Sequence, residues 1–258
     1  MAAAKDFCLP PDAHGGRLGT RGRVMWAGRF EFGDGWAVYR GPADANTAHR
    51  HAAIQIAVAR EGMVGVRCGD VTTRARTVII PSMVRHELLS QATSVTAFYL
   101  EAEGLPGRAL RTLCPGDQAM PAPPAIDGLL GESDPPEAME GLSALLAVRE
   151  TGPIDPRLSS ALACLRHGPG APGAVGKAAK AAGISAPRLR ELARAELGVA
   201  LSQWLLWQKL ARASHAIADG AGLAEAAATG GFADQAHFAR TMRRMFGVTP
   251  RIAADLLA

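Results

Sequence analysis

The chain has no run of eighteen or more apolar residues, and Lys5 and Asp6 interrupt the only place where an apolar leader could stand. A membrane-spanning helix needs about 20 apolar residues and a secretory leader needs an unbroken apolar stretch, so both are excluded. The expected location is the cytoplasm, with no membrane partner. Cysteine is scarce: Cys8, Cys68, Cys114 and Cys164 stand singly, without Cys-x-x-Cys spacing. That scatter excludes a disulfide framework and a zinc ribbon and leaves reduced, structural thiols. Paired acid/base carboxylates, a nucleophile elbow, a phosphate loop and a dinucleotide fingerprint are all missing, which argues against an enzyme.

What is present is ordinary in amount and unusual in distribution. The 258 residues are 48% apolar and 20% charged, enough to bury a core and too long for one typical domain, so two domains are expected. The net charge of +4 is not spread evenly. From Ala174 onward there are eleven Lys and Arg against six Asp and Glu, whereas the preceding residues are nearly balanced. A basic domain joined to a neutral one is the footprint of phosphate-backbone binding, and it would equally suit an acidic protein partner.

Pattern breaks divide the chain. Residues 23–101 alternate short β-prone runs, at 36–39, 54–59, 64–67, 77–80 and 96–100, with Gly, Asp and Pro turns. Two Pro/Gly-rich stretches, 114–136 and 167–176, are expected to lack regular structure. Between them lie two helical runs, 137–149 and 155–166, started by Pro-Pro-Glu and Asp155-Pro156. The expected architecture is α+β with two domains. Residues 1–125 form a β-barrel or sandwich, 126–168 a helical connector, and 174–258 an all-helical domain. In the connector, Leu142, Leu145, Leu146 and Val148 would either make the seam of a homodimer or pack on their own barrel.

An internal repeat organises the last region. A shift of 49 positions places Ser185 on Asp234, Leu189 on Phe238, Leu197 on Phe246, and Gly198-Val199 on Gly247-Val248. Each unit reads as an Ala-rich helix, a glycine turn, an N-capping Ser or Asp, and an amphipathic helix ended by glycine, which is helix-turn-helix grammar. Leu189, Leu192, Ala193 and Leu197 make the core face of the first second-helix, and Phe238, Met242, Met245 and Phe246 that of the other. Between the units, Trp204, Leu205, Trp207, Leu210 and Ile217 lie on one face of a helix over 202–218. At 1.5 Å per residue that helix spans roughly 25 Å, close to the separation of about 34 Å between successive major-groove turns.

Residues 174–250 resemble the DNA-binding domain of AraC/XylS transcription regulators. The resemblance is carried by Gly231-Phe-Ala-Asp-Gln-Ala-His-Phe-Ala-Arg240, by Arg244-Met-Phe-Gly-Val-Thr-Pro250, and by Ile184-Ser185 through Gly198. It implies double-stranded promoter DNA as partner, and RNA polymerase where the protein activates. Gln235, His237 and Arg240 are placed to read base edges and Arg243 and Arg244 to reach phosphates. In the first unit Glu191 stands where the second has Arg240, and Pro187 takes a base-contact position. Base specificity is therefore expected to lean on the second unit, with Arg188, Arg190 and Arg194 of the first on the backbone.

The N-terminal region carries a second pattern. His49, His51 and Gln55 are all odd-numbered, so on an extended strand they share one side, and His86 follows a second β-prone run. The spacing resembles the paired motifs of metal-binding cupin barrels, with Gln55 in place of the carboxylate, Gly62 in register, and Met83 where the second motif has glycine. The resemblance implies a cupin-like barrel. Two readings of the four side chains stand: ligands to one divalent transition metal (zinc, nickel, iron or manganese), or polar residues of a pocket for a small organic effector. The reading that unites both halves is a DNA-binding regulator that senses a small molecule or metal ion. A metal-dependent cupin enzyme with an appended DNA-binding domain is the alternative.

Overall fold

The computed structural model describes residues 28–42, 46–89, 94–132, 134–147 and 152–246. Cys8, Val148, and the Gly247 to Pro250 part of the repeat lie outside them. The chain forms β1 (Arg29–Gly33), β2 (Trp36–Gly41), β3 (Ile54–Ala59), β4 (Val64–Cys68), β5 (Val71–Ala75), β6 (Thr77–Ile80), β7 (Glu87–Leu89) and β8 (Val95–Leu100). The helix α1 (Leu105–Leu113) and the short strand β9 (Met120–Pro121) come next. They are followed by α2 (Pro124–Glu132), α3 (Pro135–Ala147), α4 (Pro156–Arg166), α5 (Ala174–Ala181), α6 (Ala186–Leu197), α7 (Leu201–Ala218), α8 (Leu223–Thr229) and α9 (Gln235–Phe246). No helix among the described residues is long and apolar enough to cross a membrane.

The N-terminal region is sheet-rich and the C-terminal region helical. The strands make a six-stranded sheet, β1-β2-β8-β3-β6-β9, and a three-stranded sheet, β5-β4-β7. All their pairings are antiparallel, and among the described residues the ladders do not close into one barrel. Strand alternation sorts the large sheet into two faces. Ile54, Ile56, Val58, Phe98 and Leu100 point outward into a core completed by Leu110 of α1, Ile126 of α2, and Met139, Leu142 and Leu146 of α3. Gln55, Ala57, Ala97 and Tyr99 point the other way, toward the small sheet and the C-terminal helices. Both faces are covered, which is why β3 is buried at every position.

The leucines of α3 are thus consumed by their own chain. Leu142 and Leu146 are buried against the sheet, and Leu145 packs beside them. The stretch 114–136, expected to be irregular, contains β9 and α2. Its Pro124 is the first residue of α2 and Pro135 the first of α3, positions where proline starts a helix because the missing N–H has no intrahelical partner there.

In the C-terminal region the repeat is realised as two helix pairs, α5 with α6 and α8 with α9. The turn into α6 uses Gly183 at φ +69°, a left-handed conformation that a side chain would strain. The side chain of Ser185 accepts from the Arg188 N–H at the start of α6, and Asp234 does the same for His237 at 2.6 Å at the start of α9. Leu189, Leu192, Ala193 and Leu197 are buried, as are Phe238, Met242 and Met245. Between the pairs, α7 buries Trp204, Trp207, Leu210 and Ile217 and spans about 27 Å. α4 packs against α5 and α6. Removing the α6 cap with Ser185→Ala should cost about 1 kcal/mol of stability, read as a lower urea midpoint with an unchanged denaturant slope.

Candidate nucleic-acid interface and effector centre

The two second helices present their polar faces to solvent. On α6, Arg188, Arg190 and Arg194 are exposed, and Arg188 pairs with Glu191 at 3.2 Å. A solvated pair of this kind contributes little and yields readily to a phosphate. On α9, Gln235, Arg240, Arg243 and Arg244 are exposed. His237 differs: its ring is half-buried edge-on against Phe232, with centroids 5.3 Å apart, so packing holds it back from the open face. The Glu191 and Pro187 departures both lie on the exposed side of α6, as the repeat implies.

The far ends of these helices are not free. Arg111 of α1 donates to the carbonyls of Ala195 and Glu196, at 3.3 and 2.7 Å, covering the C-terminus of α6 with a positive charge where the helix dipole is negative. Its side chain lies so close over Gly198, at φ +71°, that an added Cβ there would sit 2.7 Å from Arg111 Cδ. Phe246, the last residue of α9, reaches the inner face of the sheet. Its ring meets His51 at 6.1 Å, Tyr99 at 5.6 Å and Trp207 of α7 at 5.8 Å between centroids. Sequence spacing placed Phe246 on the core stripe of its own unit; the structure seats it between the two halves of the chain.

A buried polar junction lies beside this seat. Glu101, just past β8, is 7% exposed and accepts from Arg166 of α4 and Gln208 of α7, each at 3.1 Å. Arg166 also pairs with Glu103 and lies 5.9 Å over the Trp204 ring. Sequence reasoning missed Glu101, Arg111 and Arg166, because each acts through partners 38 or more positions away. Next to Phe246 the two halves enclose an apolar cavity of about 70 Å³, lined by Trp36, Tyr99, Trp207, Leu210 and Phe246, with Glu101 at its polar edge.

The histidines converge, though not on one regular strand. β3 begins only at Ile54, after a bend at 52–53. His49 instead pairs with His86 through reciprocal backbone hydrogen bonds of 2.8 and 2.9 Å, and Gln55 alone sits on the strand. His49, His51 and His86 are almost completely buried, and one ligand atom from each lies within 4.8 Å of the others. Each Nδ1 faces a backbone carbonyl at 2.9 Å, of Thr47, Ala53 and Val84 respectively. A carbonyl only accepts, so each Nδ1 carries the hydrogen, and in the neutral ring Nε2 holds the free lone pair. Burial pushes all three below the usual histidine range, His49 to about 3. Gln55 Oε1 is 3.1 Å from Nε2 of both His51 and His86, while its own Nε2 is buried without a partner. Three neutral imidazoles and an amide oxygen are a donor set that a transition ion fits. Met83, where the cupin pattern has glycine, takes φ +64°, the conformation that glycine would favour.

Residues 178–253 match the family described as a helix-turn-helix domain. That stretch takes in most of the pair α5–α6 and the whole of the pair α8–α9. No curated protein matches the chain in sequence. Among solved structures, ToxT from Vibrio cholerae superposes with a TM-score of 0.58 at 11% identity, over 88% of this chain and 99% of that one. A ToxT structure bound to an unsaturated fatty acid gives 0.55 at 13% identity, over 83% and 92%. A regulator from Chromobacterium violaceum with an AraC-type DNA-binding domain matches 40% of this chain and 93% of its own, at 26% identity and a TM-score of 0.37. The likeness to ToxT is one of fold, and it runs through both the sheet-rich and the helical regions.

If Phe246 is the main seat between the halves, Phe246→Ala should lower stability by about 1–3 kcal/mol. It should also raise amide exchange in α9 far more than in α6, measured by hydrogen-exchange mass spectrometry. Arg111→Ala should show the reverse pattern.

Proposed function

We propose that the protein is a one-component transcription regulator: its C-terminal domain binds promoter DNA through α6 and α9, and its N-terminal region senses an effector that changes how those helices are held. The observation that carries this reading is the joint hold on the ends of both helices by the N-terminal region, through Arg111 on α6 and the His51 and Tyr99 rings on Phe246 of α9. A ligand can shift DNA affinity only by binding the two arrangements of the helices unequally. A site that includes Phe246 meets that requirement, because moving α9 changes its walls.

The cavity between the halves is the site that favours a small organic effector. Five aromatic rings line it, those of Phe30, Trp36, Tyr99, Trp207 and Phe246, and displacing Phe246 would enlarge it. The neighbouring fold binds an unsaturated fatty acid, and the apolar lining here suits a ligand with an apolar body. The sheet pair and the His49–His86 bridge support a cupin-like origin for the sensing region. Promoter DNA is the partner this reading requires, with RNA polymerase as a further contact if the protein activates. A homodimer would use a surface other than the buried Leu142 and Leu146.

The two DNA-facing helices are unequal, and the inequality is the test. Arg240→Ala should lose about 1–3 kcal/mol on the preferred site and relax discrimination at the bases it reads. Arg194→Ala should weaken binding to all sequences alike and flatten the salt dependence. Gel-shift titrations against matched and scrambled promoter fragments read both; equal loss of discrimination from the two variants would refute the assignment.

A further inference from the structure

We propose that His49, His51 and His86, with the side-chain oxygen of Gln55, bind one late first-row divalent ion of the cobalt, nickel and zinc class, and that the His51 ring transmits its presence to α9. The transmission rests on α9 being a DNA-reading helix; the binding site does not.

The case begins with orientation. Backbone carbonyls hold all three Nδ1–H groups, so the three Nε2 lone pairs are left to a common interior point. Gln55 Oε1 already stands 3.1 Å from two of them. Ligands held at about 2.1 Å by one ion lie about 3.0–3.4 Å apart, so this spacing is that of neighbours in a coordination shell. Without an ion an amide oxygen would face two lone pairs. Turning the amide over relieves that, but an amide has two N–H donors for three imidazoles. The centre therefore has two arrangements, one with Gln55 donating and one with Gln55 ligating.

The chemistry of the donors selects the ion. No Asp, Glu or Cys joins the three histidines among the described residues, so every ligand is neutral and the buried centre keeps the full charge of the ion. Hard ions such as magnesium and manganese favour oxygen donors, and here a single amide oxygen is outnumbered by three imidazoles. Imidazole favours the later metals, and affinity rises from manganese and iron(II) toward nickel and copper. The amide in place of a carboxylate thus moves the preference away from manganese and iron.

The path to DNA is short. The His51 ring lies 5.4 Å from Tyr99, 6.1 Å from Trp207 and 6.1 Å from Phe246, on which it stacks. A ligated His51 cannot tilt, so loading the centre fixes one wall of the seat that holds the end of α9.

The test uses the untagged full chain, stripped with chelator and dialysed against cobalt(II), nickel(II), zinc(II) or manganese(II) separately. We expect about one equivalent of each of the first three by elemental analysis, and under about a tenth of an equivalent of manganese at the same concentration. Cobalt or nickel should quench tryptophan emission, and Trp207→Phe should remove most of the quench while keeping the metal. Gln55→Glu should bind manganese as well, with a metal-dependent rise in thermal midpoint, because the new buried carboxylate needs the cation. His86→Asn should weaken binding at least about 100-fold. If that variant does not fold, the wild-type and Gln55→Glu measurements decide. Less than about a tenth of an equivalent of cobalt, nickel and zinc in the wild type would overturn the site. So would binding that leaves emission unchanged and persists in His86→Asn, which marks a surface site. Gel shifts on metal-free protein test DNA recognition separately, so the two failures are distinguishable.

Discussion

A carboxylate that is 7% exposed has to be matched by hydrogen bonds or the fold cannot keep it. Among the described residues, the Glu101 carboxylate is matched by groups from the other half of the chain: the Arg166 guanidinium on α4 and the Gln208 amide on α7. Taking away one partner leaves the buried carboxylate short of a hydrogen bond, at a cost of about 1–3 kcal/mol. The sheet and the DNA-binding helices therefore cannot separate cleanly without rehydrating this group, and the aromatic seat beside it inherits a fixed geometry. Arg166 adds a third tie by pairing with Glu103, and it lies over Trp204 within its own half, so the junction is apolar, cationic and anionic at once. Everything proposed for signalling depends on the two halves meeting along this one line.

That line also bears on how the proposed sensing would be coupled to the proposed DNA binding. The proposed DNA reading needs α6 and α9 at a definite separation and angle, and α7, about 27 Å long, joins the two helix pairs. The angle is open to adjustment from the far ends, which are the ends Arg111 and Phe246 hold. A ring contact contributes little beyond its buried area, on the order of 1 kcal/mol. Displacing such a contact is within reach of a ligand's binding energy. Coupling energies in allosteric proteins are of the same order, about 1–3 kcal/mol.

Much of this was legible in the sequence, and the limits have physical causes. Helical spacing identified the buried stripe of α6 residue by residue and three of the four buried positions of α9, missing Thr241, because amphipathic helices repeat their pattern locally. The runs at β2, β3, β4, β6 and β8 were visible, whereas β5 was not, since Val71–Ala75 is polar and largely exposed. Prolines misled at Pro124 and Pro135, where they open helices instead of breaking them. The odd-numbered parity of His49, His51 and Gln55 pointed to a shared interior, yet the chain achieves it through a bridge to His86. The seat of Phe246 had no local signal, because an aromatic residue at a helix end looks the same whether it packs on its own unit or on a sheet.

The metal-ligand chemistry and the helix seat meet at one side chain, and this decides how the two candidate effector sites relate. His51 offers Nε2 to the histidine centre and the face of its ring to Phe246. A bulky molecule in the apolar cavity would push Phe246 toward or away from that face, while a ligated His51 would resist the motion. The two sites would then be energetically linked through a single imidazole, with each ligand changing the affinity of the other by the same factor. Such linkage requires no path through the core. It follows from two ligands competing or cooperating for the position of one aromatic ring at the end of the second reading helix.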